Sequence, residues 1–115
     1  MAAGPLLVEN GLTRITSEEE VFFHTSLSEA HPRTAASIDT SGRLLLMVVD
    51  GRQSASRGVT LEELANMLLQ FDASSALNLD GGGSSTIVIS GALINKPVGS
   101  GYQREVVSGI VVSCP

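Results

Sequence analysis

One stretch, residues 60–72, carries helical periodicity, and the rest of the chain has to be arranged around it. Thr60 and Glu63 stand at the spacing of a capping box, in which a hydroxyl and a carboxylate each take up a backbone N–H at the helix start. Leu61, Leu64, Ala65, Leu68 and Phe71 then recur at three- and four-residue intervals and form one apolar stripe. The predicted helix, 61–72, is apolar on one side only, so the stripe is core packing rather than a cofactor surface and must lie on something apolar. The other apolar runs are short and bounded by turn residues, which makes that surface a sheet.

The runs can be placed in order. Leu6-Leu7-Val8 stops at Asn10-Gly11, a strong hairpin signal. Ser17 with Glu20 has capping-box spacing, so residues 16–30 read as a short helix or a solvated loop. Pro32 pushes His31 toward extended geometry and gives a rigid entry to a strand over 34–39. After the turn Thr40-Ser41-Gly42, the segment from Arg43 to Asp50 is apolar without interruption between Leu44 and Val49, the pattern of a central strand buried on both faces. Beyond the helix, Ala76, Leu77 and Leu79 mark another strand. Ser90-Gly91 joins a hairpin over 86–90 and 92–95, and a β-branched run covers 106–112, broken at Ser108-Gly109. The fold class is therefore α+β, a mixed or antiparallel sheet with one main helix packed on it.

At 115 residues the chain is one domain, 1–115, with one core. Only 3% of residues are aromatic, there is no Trp, and the net charge is −5, which argues against a base-stacking or phosphate-tracking nucleic-acid binder and against an anionic membrane surface. No apolar stretch is long enough to span a membrane and no signal peptide is visible. Cys114 alone makes neither an internal disulfide nor a zinc site. His24 and His31, seven residues apart on different elements, have no metal-ligand spacing, and a histidine that ligates nothing is the simple reading of each.

The chemistry-bearing groups gather at the ends of strands. Asn78-Leu79-Asp80-Gly81-Gly82-Gly83-Ser84-Ser85 places an aspartate, three glycines and two serines between apolar runs. Three consecutive glycines carry a large backbone-entropy cost, and such a run serves either a tight strand connection or a cradle whose amides and hydroxyls hold an anionic or sugar-like group. It is neither a P-loop, which needs Gly-Lys-Ser/Thr, nor a Gly-x-Ser-x-Gly nucleophile elbow. Asp50 ends its strand in the same Asp-Gly context as Asp80. Were the two strands parallel neighbours, both carboxylates would lie at one sheet edge, where open α/β sheets bind ligands. With Arg33, Arg52 and Arg104 nearby, two carboxylates suit acid, base or nucleophile work on a glycosyl or phosphodiester bond, the arginines clamping phosphate. Taken singly, each residue is explained as well by strand termination or surface charge.

The order of His31-Pro32-Arg33-Thr34-Ala35, Asp50-Gly51-Arg52, Thr60-Leu61-Glu62-Glu63-Leu64-Ala65, Asn78-Leu79-Asp80-Gly81-Gly82-Gly83-Ser84-Ser85, Asn95-Lys96-Pro97 and Arg104-Glu105-Val106 resembles the phosphodiester glycosidase family across nearly the whole chain. The resemblance implies an α/β-type domain that hydrolyses a sugar-1-phosphodiester. It assigns Asp50 and Asp80 as the catalytic carboxylates. Arg33, Arg52, Gly81, Gly82, Gly83, Ser84 and Arg104 become substrate-binding residues. No metal or cofactor is assigned. The family domain extends further at its N-terminus, so this chain is expected to be a shortened relative whose open sheet edges pair into a homo-oligomer. A non-catalytic sugar- or phosphate-binding module is the alternative.

Overall fold

A computed structural model of the chain describes residues 3–15, 30–52, 57–79, 81–95, 97 and 109–113. Its main sheet has five strands: β1 (Ala3–Glu9), β2 (Leu12–Thr13), β3 (Arg33–Asp39), β4 (Leu44–Val49) and β5 (Ala73–Leu79). The one α-helix among the described residues, α1 (Leu61–Leu69), connects β4 to β5, and a small hairpin of β6 (Val88–Ile89) and β7 (Ala92–Leu93) follows. The sheet order is β2-β1-β5-β3-β4 and every pairing is antiparallel. This is the α+β sheet-and-helix arrangement expected from the sequence, in its antiparallel form.

The helix forms for the reasons its sequence announces. Thr60 accepts a hydrogen bond from the Glu63 amide at 3.1 Å, and Glu63 accepts from the Thr60 amide at 3.0 Å. Leu61, Leu64, Ala65 and Leu68 are buried against Leu7, Val8, Ala35, Ala73 and Ala76 of the sheet. Burying each leucine contributes about 1.5–3 kcal/mol. The helix stops at Leu69 rather than continuing to residue 72. The Gln70 amide is shared between the carbonyls of Asn66 and Met67, the next two amides bond back three residues, and Asp72 turns to a φ of 63°. Phe71 thereby leaves the stripe and stands 56% exposed.

Alternation sorts the strands into two faces. Ala35 and Ser37 of β3 are buried toward the helix, and their cross-strand partners Met47 and Leu45 pack on the same core. A register shift between Leu6 and Val8 lets the consecutive Leu7 and Val8 both turn inward. On the other face, Ile38, Leu44 and Leu77 are all exposed.

Three expectations are corrected. Among the described strands the one over 43–50 is not central: β4 closes their order, pairing with β3, and Leu44 is 55% exposed. An uninterrupted apolar run reports apolar groups on both faces, and β4 has them with a described neighbour on one side only. The strand in the middle of the order is β5, whose Ser74 and Ser75 dilute its apolar character. Nor are β4 and β5 neighbours, since β3 lies between them. The C-terminal β-branched run forms no strand over its described part, residues 109–113.

Turns fall where the sequence puts them. Asn10 and Gly11 take φ of 53° and 74°, and Ser90 and Gly91 take 51° and 79°, the positive pairs of a type I′ hairpin turn. At the β3–β4 turn the Asp39 carboxylate accepts from the amides of Ser41 and Arg43 at 2.9 and 2.8 Å. These bonds hold the Asp39 carboxyl below the usual carboxylate range, the Arg43 amide contributing most. The proposed capping box at Ser17 and Glu20 lies outside the described residues. No described helix is long and apolar enough to cross a membrane.

Candidate active site

Because β3 runs antiparallel to both β4 and β5, those two strands share a direction, and their C-terminal ends lie at one end of the sheet. Arg33, the first residue of β3, pairs with Val49 at that same end. One intervening strand separates the ends of β4 and β5, about 10 Å at ordinary strand spacing. The ends of β4 and β5 thus come to one end of the sheet with a third strand between them, while Asp80 itself lies outside the described residues.

The segment at residues 31–33 anchors this end. His31 and Val59 exchange both backbone hydrogen bonds, at 3.1 and 3.0 Å, immediately before the helix cap. The Val59 carbonyl also accepts from Arg33 Nε at 3.1 Å. Gly58 makes this approach possible: its φ is +91°, and an added Cβ would collide with the His31 carbonyl. From the other side, the Gly82 amide donates to the Pro32 carbonyl at 3.1 Å. A Cβ on Gly81 would stand 2.8 Å from that same oxygen and 3.8 Å from the Arg33 Cα, so the first glycine of the run is required by close backbone approach.

The glycine run itself folds as a short 3-10 turn, Gly82–Ser84, closed by the Ser84 amide on the Gly81 carbonyl and the Ser85 amide on the Gly82 carbonyl. The Arg52 guanidinium lies over it, about a van der Waals contact from where a Gly82 Cβ would be. Arg52 is held there by His31: its Nε and a terminal nitrogen approach His31 Nδ1 at 3.1 and 2.7 Å. Its backbone takes a φ of 53°, uncommon for a non-glycine residue and of a kind that clusters at functional sites. Arg33 is buried, at 5% exposure. Burial first, and the Arg52 charge second, push its pKa below its ordinary value. Two guanidiniums near enough to feel each other make this end of the sheet a favourable place for an anion.

Asp50 joins the loop through a residue that the site assignment from sequence left out. Asn95 Nδ2 donates to Asp50 Oδ1 at 2.8 Å and to the Ser85 carbonyl at 2.6 Å, while Asn95 Oδ1 accepts from the Ile87 amide at 2.8 Å. The Ser85 hydroxyl, in a residue 1% exposed, has no hydrogen-bond partner among the described residues. The structure therefore brings together Arg33, Asp50, Arg52, Gly81, Gly82, Gly83 and Ser84 at one end of the sheet. Asp80 and Arg104 lie outside the described residues. His31 and Asn95 are the additions. The only sequence signal for either is its place in the ordered motifs, beside Pro32-Arg33 and Lys96-Pro97.

The family model for phosphodiester glycosidases matches residues 1–113. The chain belongs to the phosphodiester glycosidase family. Within the family it is 42% identical over 81 residues to the N-acetylglucosamine-1-phosphodiester alpha-N-acetylglucosaminidase of Bos taurus, a match covering 70% of this chain and 15% of the bovine protein. A structure of a hypothetical protein from Synechocystis superposes with a TM-score of 0.71 at 32% identity, covering 84% of this chain and 18% of that one. The zebrafish N-acetylglucosamine-1-phosphodiester alpha-N-acetylglucosaminidase catalytic domain, described as auto-inhibited by its pro-peptide, gives 0.66 at 32% identity, covering 81% of this chain and 33% of that one. This phosphodiester glycosidase chain thus spans a minor part of the length of the relatives it matches.

Proposed function

We propose that this chain hydrolyses a sugar-1-phosphodiester, breaking the bond between the anomeric carbon and the phosphate oxygen to release a free sugar and a phosphomonoester. The observation that supports it best is the gathering of Asp50, Arg33, Arg52 and the Gly81–Ser85 turn at one end of the sheet. Asp50 and Asp80 serve as the two carboxylates, one working as acid and the other as base or nucleophile, with a separation of about 5–10 Å. Water adds across the bond, its hydroxyl going to the anomeric carbon and its proton to the departing phosphate or the solvent. Arg33, Arg52 and Arg104 hold the phosphate and take up the charge it gains on leaving. The amides of Gly81 and Gly83, with the Ser84 hydroxyl, hold its oxygens or those of the sugar, while the Gly82 amide stays on the Pro32 carbonyl and fixes the turn.

A binding module that keeps this cradle without turnover is the second reading, since a guanidinium held over the glycine turn serves binding as well as it serves hydrolysis. One experiment separates the two. Release of chromophore from a chromogenic glycosyl phosphodiester by the purified chain, abolished in Asp50→Asn and Asp80→Asn, supports hydrolysis. Saturable binding of the same compound with no release, retained in Asp80→Asn, supports the module. We further propose that the chain is one domain and pairs with a second copy through β4, which has one neighbour among the described strands and carries the exposed Leu44. Sedimentation equilibrium giving a monomer at all concentrations would overturn that pairing.

A further inference from the structure

We propose that Asn95 is the positioning residue of this site, its side-chain carboxamide setting the Asp50 carboxylate against the end of the glycine turn. The chemistry part of this inference rests on the hydrolytic reading above; the geometric part does not. A carboxamide offers one acceptor oxygen and one nitrogen with two N–H groups. Both ends of Asn95 are engaged: the nitrogen with Asp50 Oδ1 and the Ser85 carbonyl, the oxygen with the Ile87 amide.

That arrangement admits a single orientation of the amide. Turned over, the side chain would bring its oxygen against two other acceptors and its NH2 group against an N–H, losing all three bonds. Neighbouring residue types fail in identifiable ways. Aspartate has the shape but no donor, and adds a charge beside Asp50. Alanine leaves the Ile87 amide and the Ser85 carbonyl without their partner.

The three points joined by Asn95 come from two parts of the chain. Asp50 follows β4, while Ser85, after the 3-10 turn, and Ile87, two residues on, lead into β6. The backbone bond from the Ile94 amide to the Ile87 carbonyl, at 3.0 Å, fixes the base of the hairpin from which Asn95 projects. The hairpin itself is two residues per strand with Val88 and Ile89 exposed, so it offers little packing of its own. A hairpin of that size is marginal alone, and here Asn95, two residues beyond β7, binds a carboxylate and a loop carbonyl at once. Displacement of Asn95 therefore moves Asp50 and the glycine turn relative to each other, which is the coordinate a two-part active site depends on.

The test uses the full chain and two readouts. In a double-mutant cycle of Asp50→Ala and Asn95→Ala, unfolding in urea is expected to show a coupling of about tenfold in the unfolding constant. Additive effects, within about twofold, would overturn the contact. Should Asn95→Ala fail to fold, Asn95→Ser with Asp50→Ala replaces it in the cycle. With the chromogenic glycosyl phosphodiester as probe, Asn95→Asp is expected to lower kcat by about 10–100-fold with KM changed less than about twofold, the signature of a misplaced reacting group. An unchanged kcat in Asn95→Asp, with wild-type turnover present, would overturn the positioning role. If the wild-type chain turns nothing over, the hydrolytic reading fails, and the cycle alone decides whether Asn95 holds Asp50.

Discussion

His31 Nδ1 accepts from Arg52, at 3.1 Å from Nε and 2.7 Å from a terminal nitrogen. Arginine carries only donors, so Nδ1 has no proton and the contact belongs to the neutral ring with hydrogen on Nε2. A histidine that sequence alone gives no task is thereby the group that aims a guanidinium over the glycine turn. The same residue's backbone is bridged to Val59, so its ring is carried by a fixed segment. Replacing the ring by an apolar one of similar size, His31→Phe, keeps the bridge and removes the acceptor. The expected result is a KM for the glycosyl phosphodiester raised about three- to tenfold, with stability lowered by about 1 kcal/mol. Initial-rate kinetics and urea denaturation measure the two.

The helix stripe gives a prediction independent of the site. Leu64 is fully buried and belongs to the core shared by α1, β1, β3 and β5. Leu64→Ala removes the side chain's transfer free energy and leaves a cavity, so unfolding by urea is expected to lose about 2–5 kcal/mol. For a domain with few aromatic side chains to close the gap, a value near zero would show that the helix does not pack as described.

How far the sequence carried the reading depends on what each element advertises. The capping box, the stripe Leu61–Leu64–Ala65–Leu68 and the Asn10-Gly11 and Ser90-Gly91 turns are local features, and local chemistry decides them. The place of β4 in the sheet is not local. Its six apolar residues report what its faces touch, and say nothing of how many strands flank it. The antiparallel β3 that brings the ends of β4 and β5 to one side is equally invisible from the runs themselves. At the site, Asp50, Arg33, Arg52 and the glycines were legible because charge and glycine are conspicuous at strand ends. Asn95 was legible only as part of a motif order, since a lone asparagine after a hairpin has a sufficient explanation as a turn residue, and its partners are 45 and 10 residues away.

Asp39 provides the pH dependence. Its carboxylate closes the β3–β4 turn on the amides of Arg43 and Ser41 and meets Arg43 Nε at 2.8 Å. The Arg43 side chain is 79% exposed, so solvent screens the ion pair and the amide bonds carry the effect. The folded-state pKa lies below the ordinary value. The associated stability is therefore present above the unfolded-state pKa, about 3.9, and is lost as pH falls through the folded value. In Asp39→Asn this part of the acid-side loss is expected to vanish. Urea midpoints compared from pH 6 down to about pH 2.5 measure it, and parallel curves for the two proteins would contradict the assignment.

Gly81 is where fold and site make the same demand. An alanine there would put its Cβ 2.8 Å from the Pro32 carbonyl oxygen, which already accepts the Gly82 amide. Both neighbours are backbone, and Pro32 is itself buried and rigid, so relief has to come from the glycine turn. The turn would move off Pro32, breaking the Gly82 bond and carrying Gly82 away from the Arg52 guanidinium. The core under α1 has no part in that displacement. Gly81→Ala is thus expected to cost about 1–3 kcal/mol of stability, while turnover of the glycosyl phosphodiester falls by about 100-fold. Wild-type turnover in a folded Gly81→Ala protein would mean that the close approach of loop to Pro32 serves the fold alone. A loss of turnover with helix and core intact by circular dichroism would place the requirement at the glycine turn.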